Sequence, residues 1–358
     1  MMWTGTHQRG VTMARPRWRR VVKWAAWTVA VLIVLPVTLA GTALRAQYAG
    51  EAAPQATTRG RDALWLGHAW VDGRRDASDV AALRRRLQGS GIRDLYVHAG
   101  PLEHDGTLPP ARAAYPRARW LLSALHRALP SVRVHAWLGD RLVYAPGERG
   151  GLRLSDASAR AAIVASARQV LAAGFAGVHL DLEPLHSGNT DYLRLLDRLG
   201  PAVRGRGAVL SVAVHQIDPL PGLHTVSGAL TGHRKWISQR FFGQVARRVD
   251  QIALMSYDTG LPAESLYGGY VAQQTRLALA ATGPHTDLLM GLPFFHTESV
   301  GHHASAETVR AAVRGIRLGL TREDPGRRRF GTALYVDFAA TEEDWAAYGS
   351  GWGRRDRS

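Results

Sequence analysis

Gly177-Val178-His179-Leu180-Asp181-Leu182-Glu183-Pro184 is the stretch from which the fold is read. Apolar and polar side chains alternate through it, which is the period of a β-strand. Val178, Leu180 and Leu182 face one side, and His179, Asp181 and Glu183 the other. A helical pattern precedes it over residues 155–173 and another follows over 190–203. The same pairing recurs along the chain. Strands are predicted at 64–70, 94–98, 132–138, 177–183, 209–215, 251–257, 288–293 and 332–338. Helical patterns cover 78–88, 115–129, 155–173, 190–203, 238–248, 263–281 and 305–318, with a short last one at 341–348. Eight strands, each followed by a helix, predict an α/β protein of the (β/α)8 TIM barrel class over residues 62–350. An open doubly wound sheet is the alternative. It normally has fewer units and a Gly-rich phosphate loop, and this sequence has none.

A (β/α)8 barrel carries its site at the carboxyl ends of the strands. The polar residues predicted there are His68, His98, His135, Asp140, Asp181, Glu183, His215, Tyr257, Asp258, His296, Tyr335 and Asp337. Two carboxylates one strand repeat apart, about 6.5–7 Å between Cα atoms, share a face of the fourth strand. Glu183 is the candidate general acid, because a carboxyl enclosed beside a second carboxyl has a raised pKa. An ion pair with one of the many arginines is the bland alternative. Met255-Ser256-Tyr257-Asp258 ends the sixth strand, where a hydroxyl beside a carboxylate suits an amide or a sugar hydroxyl.

These segments resemble the family-18 glycoside hydrolases, the chitinase family. That family has a DGxDxDxE pattern on its fourth strand, and Gly177, Asp181 and Glu183 match its glycine, last aspartate and glutamate. Met255, Tyr257 and Asp258 match its M-x-Y-D pattern. Gly291-Leu292-Pro293-Phe294-Phe295 and Gly331-Thr332-Ala333-Leu334-Tyr335 look like its seventh- and eighth-strand segments. The resemblance implies a retaining, substrate-assisted glycosidase. Glu183 would protonate the glycosidic oxygen, and the substrate's own 2-acetamido carbonyl would attack the anomeric carbon. Asp181 would orient the acetamido group, Tyr257 would bond its oxygen, and Asp258 would contact the sugar. The family's first two motif aspartates are Ala176 and His179 here, and the subsite tryptophan is Tyr335. His179 is expected to support Asp181 as a hydrogen-bond donor. These departures mark a divergent branch.

Substrate contacts are expected from Asp258, His179, Met255, Trp70, His98, Trp137, His215 and Tyr335. Trp70 and Trp137 share the parity of their polar strand-end neighbours, which suits sugar platforms. Trp65 has the opposite parity to His68 and is expected under a helix, and Trp236 is a further stacking candidate. His68, His98, His135, His179 and His215 converging at the mouth would suit zinc or iron. There is no HxH pair on the first strand and no HExxH, so neither a metal nor any cofactor is expected. His302-His303 is expected in solvent.

The chain has 358 residues, a formal net charge of +16 and no cysteine. Thiolate sites and disulfides are thereby excluded. No nucleic-acid-binding module accompanies the arginines, so the charge reads as solvated helix faces, with an anionic surface polymer as a suitable neighbour. Residues 1–23 form a basic segment, and 24–44 an uncharged stretch long enough to span a membrane. This predicts a single transmembrane or signal-anchor helix with the barrel extracytoplasmic; a cleaved signal peptide is the alternative. Trp3, Trp18, Trp24 and Trp27 are membrane-interface candidates. Residues 45–61 read as a linker and 351–358 as a basic tail.

The expected activity is cleavage of glycans containing N-acetylated amino sugars. One rival is a non-catalytic carbohydrate-binding barrel. The other is a metal-dependent hydrolase using the strand-end histidines.

Overall fold

The computed structural model describes residues 18, 22, 24, 27, 28, 30–225, 228 and 235–353. Strands β1 (Asp62–Leu66), β2 (Ile92–Pro101), β3 (Arg133–Arg141), β4 (Gly177–Glu183), β5 (Val209–Val214), β6 (Gln251–Leu254), β7 (Asp287–Pro293) and β8 (Phe330–Tyr335) close into one barrel in sequence order. Every neighbouring pair is parallel, and β1 pairs with β8. Helix α1 (Leu35–Tyr48) precedes the barrel. Helices α2 (Ala77–Leu87), α3 (Ala118–Ala128), α4 (Ala157–Ala172), α5 (Thr190–Arg204), α6 (Gln239–Ala246), α7 (Glu264–Ala281), α8 (Val309–Glu323) and α9 (Glu342–Gly351) follow the strands in turn.

The loops that lead into six of the helices supply a stop for the helix's free N–H groups. Asp76, Asp156, Asn189, Ser238, Thr308 and Thr341 accept first-turn backbone hydrogen bonds. Outward strand residues such as Leu64, Val178, Leu180 and Val212 pack with Leu121, Leu195 and Phe242 of the helices in one large core. Gly177 is needed where β3 and β5 flank β4, because a Cβ there would collide with the His135 ring and the Val209 carbonyl.

The barrel interior is an aromatic and polar stack rather than branched aliphatics. Ala63, Trp65, Tyr96, Ala213, Ala253, Leu289 and Ala333 fill it. At the amino ends of the strands, Asp94 accepts from Arg133 Nε at 2.7 Å, His135 Nε2 at 2.9 Å and Gln251 Nε2 at 2.9 Å. Burial would raise the Asp94 pKa, but His135 and Arg133 outweigh it and hold the carboxyl well below the usual range. Arg61, Arg93 and Arg329 surround Asp287 at 3.0, 3.1 and 3.5 Å, so part of the cationic excess is spent inside the fold. His135 therefore braces the bottom of the barrel and does not reach the mouth.

His179 occupies the middle layer and is wholly buried. Trp65 Nε1 donates to its Nε2 at 3.1 Å, so its Nδ1 carries the proton and donates to Ser211 Oγ at 2.8 Å. Its ring stacks on Tyr96 at 3.7 Å between centroids and 9° between planes. Burial holds the imidazole well below its ordinary pKa, so it is neutral. Replacing His179 by alanine is expected to cost about 2–4 kcal/mol, from a cavity and two partners left unpaired. Urea unfolding of the two proteins measures this; an unchanged midpoint would show that the stack contributes nothing.

Several expectations change. β1 ends at Leu66, and Trp70 lies in a helical turn, Ala69–Asp72. His68 thus falls outside the strand's alternation, the parity count from it does not apply, and Trp65 points into the barrel instead of under a helix. Residues 45–61 are packed rather than free. Ala56 and Thr58 are buried, Ala53 N donates to Thr321 Oγ1, and Arg314 and Arg322 cap the carbonyl end of α1. Trp352 is buried and donates to Asp62 Oδ1 at 3.0 Å, so the start of the expected tail belongs to the barrel.

Two compact units meet between Ala43 and Leu44. In the first, a π-helical turn, Ala30–Val34, runs into α1. No helix among the described residues is long and apolar enough to cross a membrane. The span expected at 24–44 lies partly outside the described residues, as does Trp3. Trp18, Trp24 and Trp27 are exposed.

Candidate active site

β4 delivers Asp181 and Glu183 to the carboxyl end of the barrel, as its alternation requires. Trp137 of β3, His215 just after β5, Met255, Tyr257 and Asp258 after β6, and Tyr335 ending β8 come to the same end. Asp181 Oδ2 accepts from Trp137 Nε1 at 3.0 Å, and its Oδ1 is buried with no hydrogen-bond partner. Glu183 Oε1 is also buried and unpartnered, 3.5 Å from His215 Nδ1, though the Glu183 side chain as a whole stays 42% exposed. One face of this carboxyl is thus enclosed and the other open to a ligand.

Both carboxyls are pushed up to about 7. Burial is the main cause for each; the Glu183 charge adds to it for Asp181 and the Asp258 charge for Glu183, while the Trp137 N–H works the other way on Asp181. Such a pair shares protons near neutrality, one member able to donate while the other stays ionised. The Tyr257 hydroxyl is buried without a partner and held well above its ordinary pKa by burial, so it is a donor awaiting an acceptor. Gln216 Nε2 donates to the Tyr257 carbonyl and fixes that turn. Tyr335 lies over Tyr257 at 5.6 Å, and Trp137 meets Tyr335 edge-on at 6.1 Å, forming an aromatic wall.

The expected contact residues divide into two groups. Trp137, Met255, Asp258, His215 and Tyr335 stand at the mouth. His98 is there too, half-buried against Trp137, its pKa lowered to about 4 by burial and by His68. His179 is not among them. Both its nitrogens are used below the mouth, so it offers no surface to a sugar, and Asp181 takes its support from Trp137 instead. Trp70 is 4% exposed, with its Nε1 bonded to Asp337 Oδ2, and has no open face for a platform. Trp236 is bonded to Tyr270 Oη.

The strand-end histidines do not converge into the one ring that the rival metal-hydrolase reading requires. His135 and His179 lie below the mouth, and His68 and His98 face each other at 3.4 Å. Among the described residues one group could hold a metal by position, Asp258, His302 and Glu307. His302 is 1% exposed, not solvated, because it stacks under Phe295. Sequence reasoning missed Gln216 as a site residue, quoted Phe295 only within its motif, put His302 in solvent, and put Glu307 in a helix that begins only at Val309. Gln216, His302 and Glu307 sit in loops, where periodicity says nothing of which side chains meet.

The sequence matches no family profile and no curated protein. Solved structures do match. The spore cortex-lytic enzyme SleL of Bacillus cereus superposes with a TM-score of 0.56 at 12% identity, over 83% of this chain and 76% of that one. In fold, the chain is a (β/α)8 barrel similar to those of glycan-cleaving enzymes. The chitinase from Chromobacterium violaceum gives 0.53 at 16% identity over 82% of this chain and 99% of its own. A plant class V chitinase mutant from Cycas revoluta, solved in complex with (GlcNAc)3, gives 0.54 at 16% over 82% and 99%. These matches show a shared barrel fold.

Proposed function

We propose that the protein is a glycosidase that cleaves polymers containing N-acetylated amino sugars, with Glu183 as acid and base. The observation that carries this reading is the Asp181–Glu183 pair, raised to about 7, with unpartnered oxygens beside the unpartnered Tyr257 hydroxyl. No second carboxylate is required as a nucleophile if the substrate's acetamido carbonyl attacks the anomeric carbon. Glu183 protonates the leaving oxygen. Asp181 orients the acetamido N–H and offsets its developing positive charge. The Tyr257 O–H donates to the acetamido oxygen, and Trp137 and Tyr335 border the sugar ring. Glu183, now ionised, then takes a proton from the water that opens the cyclic intermediate, which leaves the anomeric configuration retained.

The complex of the Cycas revoluta chitinase supports the sugar class. A cavity of about 310 Å³ opens beside the end of β4, lined by Tyr144, Arg153, His186, Ser187 and Asn189, and suits a substrate longer than one residue. In this reading the N-terminal segment holds the enzyme at a membrane, with the barrel outside. The exposure of Val31, Leu32, Val34, Leu35, Val37 and Leu39, each more than half open, supports membrane contact by the segment, and the basic residues that precede it in the sequence support the orientation.

A screen of defined amino-sugar polymers against wild type and Glu183→Gln tests the function. Hydrolysis by wild type alone is expected. Binding without turnover, the same in both proteins, would instead favour a carbohydrate-binding barrel.

A further inference from the structure

The loop after β7 places a buried polar cluster behind Asp258 that the mechanism above does not use. His302 Nδ1 lies 3.1 Å from Asp258 Oδ1 and 3.4 Å from Glu307 Oε2. Glu307 is 1% exposed, and its other oxygen accepts from Thr259 N, Thr259 Oγ1 and Gly260 N at 2.9–3.0 Å. One carboxylate thus grips the two residues that follow Asp258, and the imidazole Nδ1 lies between it and Asp258 itself. Asp258 sits at φ 59°, in the left-handed region that aspartate tolerates but seldom takes. Something must hold it there, and this cluster is in contact with it.

The same cluster reaches the aromatic wall. The His302 ring stacks on Phe295 at 4.3 Å, and Phe295 meets Tyr257 and Tyr335 edge-on at 5.5 and 5.8 Å. The Asp258 charge in turn helps to raise Glu183. Lys235, bonded to the Thr259 carbonyl at 2.8 Å, and the Tyr267 phenol of α7 complete the charged and titratable surroundings. Burial by itself would lower the imidazole pKa, but the two adjacent carboxylates outweigh it and lift His302 to about 9. A cationic imidazole between two carboxylates neutralises one of them and leaves one net negative charge at the rim.

We propose that His302 and Glu307 are positioning residues that hold the Asp258 carboxylate in one orientation at the rim of the site, toward Glu183 and a sugar hydroxyl. The proposal rests on the glycosidase reading for its catalytic consequence.

The test is a mutant cycle of His302→Ala, Asp258→Asn and the double variant on a chromogenic N-acetylglucosamine oligomer, with melting temperature as the fold control. Each single variant is expected to lower kcat/KM roughly tenfold, and the double variant no further than Asp258→Asn alone. Asp258→Asn should move the alkaline limb of the pH profile to lower pH, since the charge that raises Glu183 is gone, and His302→Ala should move it to higher pH, since the cation that offsets that charge is removed. Additive losses, or an alkaline limb left in place by His302→Ala, would overturn the proposal and reduce the imidazole to packing. A divalent metal at one per chain in the purified wild type, lost in His302→Ala, would overturn it as well. If wild type binds the oligomer without hydrolysis, the glycosidase reading fails. The same cycle run on calorimetric affinity then decides the proposal, non-additive losses supporting it and additive ones refuting it.

Discussion

Replacing Glu183 by glutamine is expected to lower kcat on an N-acetylglucosamine oligomer by about 100- to 10,000-fold, the usual contribution of a positioned general acid. Glutamine keeps the shape and can still donate a hydrogen bond, but it cannot release a proton to the leaving oxygen. The loss should therefore shrink on a substrate whose leaving group needs no proton, such as a nitrophenolate. An equal loss on both substrates would show that Glu183 serves binding rather than proton transfer. A second readout comes from stability. The folded pKa of Glu183 is raised from 4.5 to about 7. Its neutral form thus contributes stability that is fully present below 4.5 and is lost as pH rises through about 7. Glutamine has no such charge to acquire, so Glu183→Gln should melt a few degrees above wild type at pH 8 and level with it near pH 4. The 42% exposure of the side chain keeps this difference small.

Asp181→Asn is expected to lower kcat by about 100- to 1000-fold with little change in KM, because its charge matters most as the acetamido group becomes cationic. The pH profile carries the sharper signature. In wild type, activity is expected to rise as Asp181 loses its proton and to fall as Glu183 loses its own. With both groups raised to about 7, the pair gives a narrow bell with two apparent pKa values that belong to the pair. Asparagine has no proton to lose, so the acid limb should disappear and the alkaline limb remain. An acid limb that survives in Asp181→Asn would assign it to another group, with His215 the nearest candidate at 3.5 Å from Glu183.

The strand pattern around Glu183 was legible because alternation is local. Residues 177–183 form β4 without a change of boundary, and the parity of Asp181 and Glu183 places both carboxylates at the mouth. Where a strand stops was less legible. Nothing periodic marks Leu66 as the end of β1, so Trp70 and His68 were assigned to a strand they do not belong to. His179 shows a different failure. Its parity is right, and it does face the barrel interior, but depth along the axis is not written in parity. Trp65, Tyr96 and Ser211 from three other strands converge on it and consume both its nitrogens.

What the sequence by itself determined is the barrel, from eight strand–helix repeats, and the presence of two carboxylates at its mouth, from the alternation along β4. The tertiary structure decided which neighbours those carboxyls have. It gave Asp181 to Trp137 instead of His179, set His215 beside Glu183, and buried His302 and Glu307 behind Asp258. Those contacts join residues about 30 to 50 positions apart through strand register and loop packing, and the resulting burial is what raises the acid pair to the range where it can exchange protons at neutral pH.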